Sequence, residues 1–305
     1  MQLQPGVTAD EAIKALDELT RGSLNDIQNK IPHLTSGDFE QLIFALIPAY
    51  DGWTDDVSRE LRKVFADAEV LARLHGGRYP FIVAGTQNPV RTSQLLYSEL
   101  GSLRTFFTLV VANALREQQE RFKHHQGRSL VLDSNDCLHY ARFDKIPWAR
   151  EYGAGTVVVF PHVIVDEIDA KAYSTGSDKI RRRARGVYSL LERLHEQIDD
   201  HGYATLDDGT KVEILTDKPG HLRLPNNDNE AVASAALLQQ ALAQGQVTVL
   251  TRDIGVRARA RAWNLKAEEL PQKYLIREDR LSRADVAADV AAITVSEEAP
   301  EAPAS

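Results

Sequence analysis

Apolar positions along residues 8–122 recur at the spacing of three and four that marks amphipathic helices. Phe39, Leu42, Ile43, Leu46 and Ile47 fall on one face of a helix over 38–48, with Ser36 and Asp38 as capping candidates and Pro48 ending the pattern. A second helix is expected over 55–75, with Val57, Leu61, Val64, Phe65, Ala68 and Leu71 turned inward and Gly76-Gly77 stopping it. A third, over 91–123, carries Leu96, Leu100, Leu103, Phe107, Val110, Val111 and Ala114 on its apolar face. No catalytic constellation is visible here, and a helical bundle is the expected structure.

The period changes after His124-His125-Gln126-Gly127. Short apolar runs of strand type occur at 129–132, 156–160 and 246–250, and helical patterns lie at 162–172, 179–200, 228–244 and 254–263. Such alternation predicts a parallel sheet with helices on both faces. Asp207-Asp208-Gly209 between the β-prone runs 203–206 and 210–215 reads as an inserted or edge hairpin. From 288 the chain turns to Ala, Glu, Pro and Ser, the composition of a disordered acidic tail. The expected organisation is therefore a helical domain over 1–127, an α/β domain over 128–287 and a tail over 288–305.

Composition narrows the class. A chain of 305 residues, 43% hydrophobic and 26% charged, suits two modest globular domains. No apolar run approaches the length of a bilayer span, and Met1-Gln2-Leu3-Gln4-Pro5 lacks signal-peptide character. Cytoplasmic residence, without a membrane partner, is the expectation. The lone cysteine, Cys137, excludes an internal disulfide and a thiolate metal knuckle. A net charge of −8 argues against a protein that coats nucleic acid non-specifically, although arginines cluster at 179–185 and 252–261.

Candidate chemistry sits at the ends of the predicted strands, where open α/β sheets bind ligands. Asp133 ends the run Ser129–Leu132, and Asp253 follows the run that closes at Leu250. Glu167 lies in the second turn of the helix that Pro161 starts, and Asp228 opens another within Asn226-Asn227-Asp228-Asn229-Glu230. Each has an ordinary alternative as a helix cap or an acid near a helix start. Together at one sheet edge, the four would resist simultaneous ionisation, and a divalent cation would resolve the conflict. An all-oxygen set favours Mg²⁺ or Mn²⁺ over zinc. Arg181, Arg182, Arg183 and Arg185, with Arg257 and its neighbours Arg259 and Arg261, are candidates for phosphate contacts or for a solvated helix face.

Leu130-Val131-Leu132-Asp133-Ser134-Asn135, Val165-Asp166-Glu167-Ile168-Asp169, Asn227-Asp228-Asn229-Glu230-Ala231 and Val249-Leu250-Thr251-Arg252-Asp253-Ile254-Gly255, in this order, resemble a PIN domain over 128–275. The last segment is similar to the PIN domains of bacterial PhoH-type ATPases, although no Walker motif is present. The resemblance implies a three-layer α/β/α, metal-dependent nuclease acting on RNA, with single-stranded DNA as a further substrate class. It makes Asp133, Glu167, Asp228 and Asp253 the catalytic metal-site acids, with Asn135 supporting them, and Arg181, Arg182, Arg185 and Arg257 the substrate-binding set. Products would carry 5′-phosphate and 3′-hydroxyl ends. Ile254-Gly255 depart from the further polar residue that many PIN domains carry after the last aspartate, which weakens the case for a second metal. A non-catalytic RNA-binding scaffold and a toxin of a toxin–antitoxin pair are the alternatives, and a homo-oligomer is compatible with either.

Overall fold

The computed structural model describes residues 2–85, 88–175, 177–198 and 202–277. The acidic tail expected from 288 lies outside the described residues. The chain divides into two compact units: residues 1–126 with 236–247 and 263–265, and residues 127–235 with 248–262 and 266 onward.

The first unit is helical. Thr8 caps the helix Ala9–Arg21 through a reciprocal box, its side chain accepting from Glu11 N–H while the Glu11 carboxylate accepts from Thr8 N–H. The helix predicted to stop at Pro48 instead runs unbroken as Phe39–Arg62, absorbing the first part of the segment expected at 55–75. Pro48 lies on the exposed side, where the carbonyl left without its partner is open to water, and the stripe Ile43, Leu46, Tyr50, Val57, Leu61 is buried on either side of it. Helix 89–121 is continuous through a π-helical segment, Phe106–Val111, and is long and apolar enough by composition to cross a membrane. It instead buries Leu96, Leu100, Leu103, Phe107 and Leu115 in the core of this unit. Glu99 on the same helix is fully buried and accepts from Arg73 Nη1 at 2.6 Å and from Arg78 N–H at 3.2 Å.

The second unit is built on a six-stranded sheet, β1 Ser129–Leu132, β2 Val157–Pro161, β3 Ala204–Thr205, β4 Lys211–Leu215, β5 Val247–Leu250 and β6 Lys266–Glu268. Their spatial order is β3-β4-β2-β1-β5-β6. The β1–β2, β2–β4 and β5–β6 pairs are parallel, and β3 runs antiparallel to β4. β1 and β2 are buried along their whole length, as continuous Leu/Val runs require when both faces of a sheet are covered. Leu130, Leu132, Val158 and Phe160 enter a core with helices His162–Tyr173 and Asp178–His195, while Val131, Val157 and Val159 are buried on the other side. This is the expected three-layer α/β/α arrangement, preceded by a helical region. The Asp-Gly hairpin forms the β3 edge, and its second strand, β4, pairs in parallel with β2.

Glu99→Ala is expected to destabilise the chain by about 3 kcal/mol, because it leaves Arg73 half-sequestered without its carboxylate. Thermal or urea unfolding measures the loss, and Glu99→Ala with unchanged stability would show that the pair is dispensable.

Candidate active site

β1 and β5 end side by side, with the N–H of Asp133 donating to the Leu250 carbonyl at 3.2 Å. Asp133 is thereby fixed at the carboxyl edge of the sheet, as the cap of the short helix Ser134–His139. Its side chain is only 7% exposed. Oδ1 accepts from Asn135 N–H at 3.4 Å, and Oδ2 accepts from the Thr251 hydroxyl at 2.7 Å. Burial raises the pKa of Asp133, the bonds from Thr251 and Asn135 oppose the rise, and the charges of Glu167 and Asp228 add to it. Two acids far along the chain are therefore close enough for Asp133 to feel them.

Asp253 is joined to the same point through one hydroxyl. Its N–H donates to Thr251 Oγ1 at 3.0 Å, the oxygen that in turn donates to Asp133. The Asp253 carboxylate caps helix Ile254–Ala262, with Oδ1 accepting from Gly255 N–H at 2.6 Å and Val256 N–H at 3.2 Å. A Cβ at Gly255 would stand 3.0 Å from that oxygen and 3.6 Å from Arg259 Nη1, so the absence of a side chain keeps Asp253 and Arg259 close.

Two cations already lie on the acids. Lys171 Nζ is 2.8 Å from Glu167 and donates to Ser134 Oγ at 3.0 Å, and Arg259 Nη1 is 3.0 Å from Asp228. Asp166, next to Glu167, is held by Arg223 at 2.5 Å. The set fits a divalent cation in donor chemistry, since every candidate ligand is a carboxylate oxygen and Asp133 carries negative potential that its hydrogen bonds only partly relieve. Within this unit the donor atoms of three residues that approach to within 4.8 Å of one another are those of Asp217, His221 and Glu230, not of the four acids. Direct ligation by one or two carboxylates, with water completing the shell, is the mode that Mg²⁺ prefers.

The arginines divide. Arg257, grouped with the substrate-binding residues on sequence, bonds instead to the carbonyls of Thr251 and Arg252 and to Glu269 at 2.8 Å, bracing the loop after β5. Its neighbour Arg259 reaches the acids. Arg181 pairs with Asp178 and the Ser174 carbonyl, Arg185 donates to the Ala172 carbonyl, and Arg183 to the Leu138 carbonyl. Arg182 is exposed and forms no hydrogen bond or ion pair among the described residues.

Thr251, Lys171 and Asp136 lie at this sheet edge although nothing in the sequence singled them out. Asp136 lies one turn after Asp133, almost wholly buried, and neither of its oxygens makes a hydrogen bond of ordinary geometry. Burial, then the charge of Asp133, pushes its pKa up to about 8, with the charge of Arg252 offsetting part of the rise. A pKa raised this far favours the protonated acid at neutral pH.

An acid-edged sheet between helices defines a nuclease-type α/β domain, and comparison with known families agrees. A family model described as PIN domain matches residues 115–271, more than half of the chain. The chain belongs to the PIN-domain family, whose members are generally nucleases that typically use divalent metal ions. Comparison with curated proteins finds no match.

Thr251→Val keeps the shape but leaves Asp133 Oδ2 buried without its donor, so a loss of about 1–3 kcal/mol is expected in denaturant unfolding. The Asp136 proton gives a second expectation. The unfolded chain releases it near pH 4 and the folded chain holds it to about pH 8, so the fold binds the extra proton between those values. Stability is then full below the lower value and falls as pH rises through the window. Asp136→Asn, which mimics the protonated acid, should flatten that decline in Tm measured from pH 4 to 8, and an unchanged slope would remove the assignment.

Proposed function

We propose that this chain is a metal-dependent endoribonuclease. The observation that supports the reading most directly is the buried Asp133, which feels the charges of Glu167 and Asp228 and shares the Thr251 hydroxyl with the backbone of Asp253. Asp133 and Asp253 would hold a Mg²⁺ or Mn²⁺ ion, with Glu167 and Asp228 completing the site directly or through water. When bound, such an ion lowers the pKa of water and offsets charge developing on a phosphodiester in its transition state.

The chain's own residues supply the surroundings. Thr251 and Asn135 N–H fix the orientation of the Asp133 carboxylate, so that one geometry is presented without rearrangement. Lys171 and Arg259 set the directions of Glu167 and Asp228 and leave positive groups at the rim, where phosphate oxygens would dock. Glu167 and Asp228 would help orient the attacking water. The exposed Arg182 guanidinium serves backbone phosphate binding, which contributes affinity without sequence preference.

The test is cleavage of single-stranded and structured RNA by the full chain, with Mn²⁺, with Mg²⁺ and with chelator. Cleavage should require the ion, and Asp133→Asn should lower it by at least about a hundredfold, since even partners that only orient metal ligands are worth 10–100-fold. Ion-dependent cleavage that Asp133→Asn leaves intact would overturn the assignment, and RNA binding without cleavage would make the chain a scaffold.

A further inference from the structure

The loop that joins β4 to helix Asn227–Ala241 has no apolar anchor. Every residue from 218 to 227 is exposed, including Leu222 and Leu224. The loop is nevertheless shaped. Lys218-Pro219-Gly220-His221 forms a turn closed by His221 N–H donating to the Lys218 carbonyl at 2.9 Å, and Gly220 takes φ +81, which favours glycine. The turn folds His221 back beside Asp217. Opposite both stands Glu230, one turn into the following helix and only 3% exposed.

We propose that Asp217, His221 and Glu230 bind a single transition-metal dication of the Zn²⁺ type, clipping this loop to the helix that carries Asp228. One donor atom from each residue lies within 4.8 Å of the other two. Glu230 Oε1 is 2.7 Å from His221 Nε2, and Oε2 accepts from Leu224 N–H at 2.8 Å, which fixes the plane of the carboxylate. Asp217 Oδ2 is held by Arg223 Nε at 2.5 Å and lies 3.4 Å from His162 Nδ1, so its other oxygen is free to turn to an ion. Zn–N and Zn–O bonds of about 2.0–2.2 Å in tetrahedral geometry separate ligand atoms by about 3.4 Å. The His221–Glu230 contact opens and the wider separations close, movements within reach of side-chain rotation in an exposed loop.

Charge and donor type choose the ion. Asp166 and Asp217 share the Arg223 guanidinium while Glu230 stands against the His221 imidazole, so the three carboxylates carry more negative charge than the guanidinium offsets, which favours a dication. One imidazole nitrogen and two carboxylate oxygens suit Zn²⁺ and its first-row neighbours, whereas Mg²⁺ takes oxygen alone. Tying Asp217 to Glu230 closes a loop that buried apolar area does not close.

The experiment uses the full chain stripped with chelator and titrated with Zn²⁺, followed by calorimetric stoichiometry and by Tm. His221→Ala and Asp217→Asn alter exposed or half-exposed side chains, so both variants should fold. Each should bind one equivalent of Zn²⁺ fewer than the unaltered chain and lose the Zn²⁺-dependent rise in Tm. Asp133→Asn should retain both, which separates this site from the acids at the sheet edge. Co²⁺ in place of Zn²⁺ should give visible absorption that His221→Ala abolishes. Equal Zn²⁺ stoichiometry and equal Tm response in the unaltered and His221→Ala chains would overturn the proposal.

Discussion

Mutual repulsion among carboxylates gathered at one sheet edge is the constraint around which the α/β unit is arranged. Burial makes the problem worse, because Asp133 has lost most of its water and must be compensated by fixed partners. The structure meets this with one hydroxyl and two cations. Thr251 donates to Asp133 while accepting from Asp253 N–H, so the ends of β1 and β5 are tied by a single oxygen. Lys171 stands against Glu167 from the next turn of the same helix, and Arg259 stands against Asp228 from a different helix. Removal of the Thr251 hydroxyl would cost most, because Asp133 is the most deeply buried of these acids.

The same arrangement accounts for what the site can do. In the proposed function, residual negative potential at Asp133 would attract a cation, and the nearby Lys171 and Arg259 would favour a phosphate. Asp136 marks the cost of so dense an acidic site. Burial, and then the charge of Asp133, raise the pKa of a second carboxyl one turn away and favour its protonated form. Function and stability pull in opposite directions at this helix start.

Much of the α/β unit was legible because buried parallel strands leave an unmistakable trace. β1, β2 and β5 are short Val/Leu runs, and the acids that matter follow β1 and β5 directly or open the next helix. Other features left no trace. β6 reads Lys266-Ala267-Glu268, with no apolar alternation, and exists because it pairs with β5. Pro48 looked like a helix end because local sequence cannot reveal that its side faces water and that the apolar stripe resumes beyond it. Arg257 and Arg259 sit two apart on a short helix, and only the helix's rotation, set by burial of Val256 and Ala260, decides which reaches the acids. Thr251 was hidden for a different reason. Its role depends on register between two strands more than a hundred residues apart, and a threonine after a strand has many ordinary uses.

The start of helix Asn227–Ala241 carries two donors of different company. Asp228 pairs with the Arg259 guanidinium and adds its charge to that of Asp133, and Glu230, two residues on, faces an imidazole. Positions two apart on a helix point to different sides, so the two acids serve separate surroundings without competing. Oxygen-only company selects ions that keep their water and exchange it readily, as a reacting site requires. Imidazole company selects ions held by covalent, directional bonds, as a structural clip requires. The loop bearing His221 has no hydrophobic side chain to fix it, so a bond of the second kind would order the helix start and, with it, the backbone that aims Asp228. A single helical turn would then sort two classes of metal by ligand chemistry, with the firmly held ion setting the geometry in which the exchangeable one works.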